Sequence, residues 1–250
     1  MTSLEEGEGE REDESGRDRR TGAPVEGESS TPVHLAMGES FSCAWREGGE
    51  ARCWGANGYG QLGRGVVSAD VASTPGPVLL GSGEALTGVR QMALGRHHAC
   101  ALLDDGTVLC WGGNPLGELG NGVLGGEPVA RPGPVLDGEG APLANVLAIA
   151  SGDDHACAQL DDATLRCWGR TSFEEAGRVG VAEAPQGAPF ARPVFVEGGS
   201  MLGGVTRLAL GPSHGCAECE GGVFWCWGEG SPGEGDAPGL FATPMNALGW

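Results

Sequence analysis

"HACALLDDGTVLCWG" occupies residues 98–112. Cys100 and Cys110 bracket nine residues, with Asp104-Asp105-Gly106 midway between them. A three-residue hairpin loop ending on a left-handed glycine is a favoured turn, a type I turn with a bulge. Placing the turn there makes Leu103 face Thr107 as the closing pair. Leu102 then faces Val108, Ala101 faces Leu109, and Cys100 faces Cys110. Pairs alternate along an antiparallel ladder, so the cysteines fall on a non-hydrogen-bonded pair, where Cα atoms approach to about 4.5 Å. That separation is at the short end of what a disulfide spans.

The phrase recurs. Cysteines stand at 43 and 53, 100 and 110, 157 and 167, and 216 and 226, so the pairs step by 57, 57 and 59 residues. Five residues before each first cysteine lies a glycine: Gly38, Gly95, Gly152 and Gly211. Trp-Gly follows each second cysteine at 54, 111, 168 and 227. Pro-Val recurs between these cores at 77, 134 and 193, with Pro244-Met245 as a weaker copy. Short apolar runs such as "VRQMALG" (89–95) and "VTRLALG" (205–211) precede the glycines. Each repeat therefore reads as several short strands punctuated by Gly and Pro, with no segment of helical period. Repeats of this length built from strands indicate β-propeller blades. The expected fold is all-β, with four blades forming a small closed ring, an open, partial propeller, or a fragment of a longer one. Pairing of Pro244-Met245 with blade one would favour the ring. The repeat domain is expected over 31–250, with hairpin cores near 38–55, 95–112, 152–169 and 211–228.

Three chemistries compete for the cysteine pairs. Metal knuckles place cysteines two to four residues apart, and nine intervening residues supply only two ligands per blade. His98, His155 and His214 precede the first cysteines by two positions, but the first repeat has Phe41 there. Structural staples are the favoured reading, with zinc second and redox chemistry third: Cys43–Cys53, Cys100–Cys110, Cys157–Cys167 and Cys216–Cys226. Each closes a loop of about eleven residues, for which the chain-entropy model gives about 2–3 kcal/mol. Cys219 has no partner in this pattern. A zinc or redox site with Cys216, His214 and Cys226 is the sharper alternative there, and an unpaired, partly buried thiol the favoured one. No metal or cofactor is expected.

Composition narrows the function. Glycine supplies 48 of 250 residues, and the net charge is −19 without a single lysine. Such a surface repels phosphate backbones, so nucleic acid is not an expected partner. No stretch reaches the ~20 apolar residues of a spanning helix, and no membrane insertion is expected. Ten acidic and four basic residues fill the first thirty, which reads as a disordered acidic tail over 1–30. It carries no apolar signal core, while four disulfides require an oxidising compartment. Extracellular or cell-envelope placement is expected from the cysteines. The missing leader leaves open a misassigned or truncated start, unconventional export, or reduced thiols.

"CWGANGYGQLGRG" (53–65) and "CWGGNPLGELGNG" (110–122) resemble the W-G-x-N-x-x-G-Q-L-G-x-G signature of the regulator of chromosome condensation repeat family. The preceding G-x-x-H-x-C-A-x-x-x-D-G is similar to that family's G-x-x-H-x-x-A-L-x-x-D-G. The likeness runs over about 31–250 and weakens at "CWGRTSFEEAG" (167–177), where Ala163 replaces the turn glycine, and at "CWGEGSPGEG" (226–235). It implies a propeller, usually of seven four-stranded blades, which acts through rims and loops as a protein-binding surface. The cysteine pairs resemble those of bacterial, exported members.

The acidic doublets Asp104-Asp105 and Asp161-Asp162 fall in hairpin turns, where Asp is favoured for local hydrogen bonds. Asp153-Asp154 precedes His155, but no nucleophile with a positioned base accompanies them. The expectation is a non-catalytic scaffold that binds another protein, regulatory or inhibitory, of unknown oligomeric state. The segments 64–77, 121–134 and 170–193 are expected to form one recognition rim. The alternatives are a hydrolase or lyase at the propeller centre and a structural surface protein without a specific ligand.

Overall fold

The structure, a computed structural model, describes residues 32–170, 187–196 and 199–228 and the backbone of 243–245. The acidic tail expected over 1–30 lies outside them. Blade one comprises β1 (His34–Met37), β2 (Phe41–Trp45), β3 (Arg52–Asn57) and β4 (Ser68–Pro77). Blade two follows with β5 (Val89–Leu94), β6 (His98–Leu103), β7 (Val108–Gly112) and β8 (Val129–Pro134). In blade three stand β9 (Val146–Ser151), β10 (His155–Leu160), β11 (Leu165–Arg170) and β12 (Gly187–Pro193). Blade four holds β13 (Val205–Leu210), β14 (His214–Cys219), β15 (Val223–Gly228) and β16 (Thr243–Met245). Each is an antiparallel four-stranded sheet in chain order. The fold is an all-β, four-bladed propeller architecture.

The central hairpin has the register counted from the sequence. Leu102 pairs with Val108, Ala101 with Leu109 and Cys100 with Cys110. Leu103 N–H donates to Thr107 O at 2.9 Å, and Gly106 closes the turn at φ 79°. Asp105 earns its place locally, because Thr107 N–H and Oγ1 both donate to its Oδ1. Those bonds hold its carboxyl below the usual range.

The Pro-Val markers turn the chain from outermost strand back to centre. Val78, Val135 and Val194 are buried, and each accepts a backbone bond from the next loop, from Leu86, Leu143 and Leu202. The inner strands β1, β5, β9 and β13 stand in succession, β1 meeting β5, β5 meeting β9, and β9 meeting β13. Apolar cores fill the space between consecutive blades. In each, the disulfide face of one blade packs against the alanines and tryptophan of the next, as Cys43 and Cys53 do with Ala99, Ala101 and Trp111.

Two expectations change. The segments 64–77, 121–134 and 170–193 are not simply loops, because β4, β8 and β12 within them are the outermost strands of their blades. Proline is tolerated on an edge strand, which has no outer neighbour for an N–H to serve. The second concerns Pro244-Met245, which does not pair with blade one: Thr243–Met245 pairs with β15 and completes blade four. The end blades have open faces among the described residues. Trp111, Trp168 and Trp227 are buried, whereas Trp54 is half-exposed, as are Ser42 and Ala44 where blade two buries Ala99 and Ala101.

Candidate binding surfaces and the cysteine pairs

The repeated polar residues are spent on joining blades. Trp111 Nε1–H donates to Gln61 O at 2.8 Å, and Trp168 Nε1–H to Glu118 O at 2.9 Å. The loop that receives each indole is pinned by an asparagine. Asn57 Oδ1 accepts from Leu62 N–H and its Nδ2 donates to Val66 O, and Asn114 repeats this with Leu119 and Val123. Gln61 Oε1 accepts Tyr59 N–H at 2.9 Å, and Glu118 Oε2 accepts Leu116 N–H at 2.8 Å. Burial pushes the Glu118 carboxyl up to about 7.

The glycine five residues before each first cysteine is needed because a ring lies on it. A Cβ on Gly95, Gly152 or Gly211 would collide with the imidazole of His98, His155 or His214, and one on Gly38 with the ring of Phe41. His98 is buried and shares a 2.9 Å hydrogen bond with Ser151 of blade three. Where Phe41 replaces histidine, blade two offers Leu94 in place of Ser151, and both sit in the shared core. Burial holds His98 down to about 3 and His155 to about 4, so neither carries charge at neutral pH.

Asp153 and Asp154, the residues closest to an acid–base pair, are engaged in ion pairs. Arg96 Nη2 meets Asp153 at 2.6 Å, its Nε meets Glu39 at 3.3 Å, and its Nη1 meets Asp154 at 3.7 Å. Arg170 adds a second cation 3.5 Å from Asp154. Glu39, Arg96 and Asp153 each directly follow their blade's glycine, so they form an alternating belt across three blades beside a hollow of about 280 Å³. Among the described residues no group of three His, Cys, Asp or Glu side chains is placed to hold a metal.

The structure brings each cysteine pair to disulfide distance. Cα separations are 4.1 Å for Cys43–Cys53, Cys100–Cys110 and Cys216–Cys226, and 4.0 Å for Cys157–Cys167. Cys219 points the other way from Cys216, into the core between blades three and four with Cys157, Ala217 and Trp227. It takes the place of Leu103 and Leu160, and burial pushes its thiol up. It is thus a small apolar core residue, remote from thiolate chemistry.

One end of the molecule combines charge and apolar surface. Phe41 pairs with Gly55, so the turn bearing Glu39 and the loop after β3 share an end of blade one. On that loop Val66 and Val67 are 57% and 49% exposed; on its counterpart in blade two, Val123 and Leu124 are 52% and 50% exposed. Tyr59 stacks on His97 between them, ring centroids 4.1 Å apart. The sequence marked the segments but not these side chains. The signal was their recurrence at a spacing of 57.

Comparison with known proteins fits this geometry. Residues 33–61, 89–118 and 146–174 match one model of the regulator of chromosome condensation (RCC1) repeat, and 49–102 and 105–159 match a second. Together they cover 33–174, more than half the chain. The chain belongs to the RCC1 repeat family. The E3 ubiquitin-protein ligase HERC2 of Homo sapiens is 29% identical over 204 residues, 80% of this chain and 4% of that protein. The mitochondrial RCC1 domain-containing protein RUG3 of Arabidopsis thaliana is 30% identical over 149 residues, 60% of this chain and 31% of that one. Human WBSCR16 superposes with a TM-score of 0.70 at 22% identity, covering 86% of this chain and 52% of that chain. Prp20p of Saccharomyces cerevisiae, whose structure is described with its binding to Gsp1p and histones, gives 0.65 at 25% identity, covering 90% and 52%. The RCC1-repeat chain thus spans a third or less of these curated relatives and about half of these solved propellers.

Proposed function

We propose that this RCC1-repeat chain is a non-catalytic scaffold that binds a partner protein through the end of the blades carrying Val66, Val67, Val123 and Leu124. The observation behind this is the recurrence of an exposed apolar pair at equivalent positions of two blades, on loops fixed by Asn57 and Asn114. Exposed apolar side chains held on a rigid frame are what a protein interface needs. The belt of Glu39, Arg96 and Asp153 at the same end adds charge for orientation rather than for acid–base work. Prp20p, similar in fold, binds proteins, which supports a binding role in general and names no partner here. A net charge of −19 favours a partner with a basic face. The cysteine pairs at disulfide distance fit an oxidising environment, and we place the protein outside the cytoplasm, in the cell envelope or beyond.

The test is capture from native extract and culture medium, quantified by mass spectrometry. The wild type is compared with the quadruple substitution of Val66, Val67, Val123 and Leu124 to serine. Val223→Ser, at the opposite, hairpin end, serves as control. A specific partner is expected to fall about tenfold or more with the quadruple variant only, as loss of a desolvated hot spot gives. Unchanged capture by the quadruple variant contradicts the proposal.

A further inference from the structure

Consecutive blades meet by a pairing rule that runs along the chain. The side chain two residues after a first cysteine points to the next blade and meets the side chain three residues after that blade's first cysteine. Trp45 and Leu103 share the core of blades one and two, and Leu102 and Leu160 that of blades two and three. Gln159 Nε2 donates to Val205 O at 2.8 Å, beside Cys219, the cross-strand partner of Val205. The rule leaves one residue over at each end: Glu218 on the free face of blade four and Arg46 on the free face of blade one. They are opposite in charge. Arg46 forms no ion pair among the described residues, while Glu218 meets Arg207 at 3.6 Å, a guanidinium that is 84% exposed.

A second position gives the same result. The ring three residues after each glycine covers the end of the next blade's inner strand, as Phe41 does with Leu94 and His98 with Ser151. At the open ends, the exposed His214 has no such neighbour among the described residues, and Met37 is 79% exposed. The free face of blade one also leaves Trp54 half-exposed where its counterparts are buried, and blade one carries a groove of about 360 Å³ lined by Trp45, Arg46 and the ion pair of Arg52 with Glu50.

We propose that the free face of blade four of one copy docks on the free face of blade one of a second copy, with Glu218 against Arg46 and His214 over Met37. The contact continues the stacking used between blades one to four, so it needs no new type of surface. It is head-to-tail, and two copies related by a two-fold axis use both contacts at once and close into one ring.

Sedimentation equilibrium of the full 250-residue chain, over a range of concentrations at low salt, tests this. The expected mass is twice the chain's 25.4 kDa. Arg46→Glu or Glu218→Arg alone should weaken association about tenfold or more by setting like charges together, and the double exchange should restore it. Larger assemblies that respond to the same exchange support the contact in an open series. A wild type that stays monomeric overturns the proposal, as does association that neither single substitution weakens. A monomer whose thermal stability falls with each single substitution and recovers in the double would show the two faces meeting within one chain, and also overturns it.

Discussion

Glu118 and Gln61 hold equivalent places and make the same bond to a backbone N–H two residues before, yet only one of them titrates. Burial holds the folded carboxyl at about 7, above its ordinary 4.5, so the folded state keeps its proton longer than the unfolded chain does. Stability from this group is present below pH 4.5 and is lost as pH rises through 7. Glu118→Gln keeps the acceptor oxygen. We expect it to match the wild type near pH 5 and to exceed it by about 1–3 kcal/mol at pH 8, read from urea midpoints. The same difference at both pH values would contradict that account. The histidines act in the opposite direction. His98 and His155, held at about 3 and 4, withdraw stability as pH falls below the unfolded value of 6.5, and the paired comparison cancels them. The sequence showed these histidines two positions before the first cysteines but not their place over the glycines. That contact depends on a ring folding back over its own strand entry.

The hairpin was the most legible element, because alternation, turn chemistry and cysteine spacing all gave one register. Its weakest copy is in blade three, where Ala163 adopts φ 59° at the position held by Gly106 in blade two. A side chain in the left-handed region costs about 1–2 kcal/mol. Ala163→Gly should therefore raise stability by about 1 kcal/mol, less the entropy glycine adds to the unfolded chain, seen as a higher urea midpoint at unchanged slope. A lower midpoint would show that the turn is held by something other than backbone conformation. The outermost strands were less legible. Their pairing with the third strand shifts register, as between Cys53 and Gly55, and their sequences are rich in Pro and Gly. Strand propensity cannot identify a strand that pairs on one side only and skips residues.

At the scale of the molecule, four blades follow from four cysteine pairs, four glycines and four Trp-Gly dipeptides, all visible in the sequence. What each repeat does for its neighbour was not visible, since it depends on contacts 50 or more residues apart, such as Trp111 with Gln61 and Arg96 with Asp153. Those contacts consume the recurring polar groups and leave the apolar loop residues and the two end faces uncovered among the described residues. The account rests on each blade being closed by its own disulfide, a pairing that fits an oxidising compartment. Peptide mapping by mass spectrometry, after alkylation in denaturant without reductant, tests this directly. The account predicts one alkylated residue, Cys219, and four cross-linked peptides joining Cys43 to Cys53, Cys100 to Cys110, Cys157 to Cys167 and Cys216 to Cys226. Alkylation of all nine cysteines in protein isolated from its native compartment would contradict it.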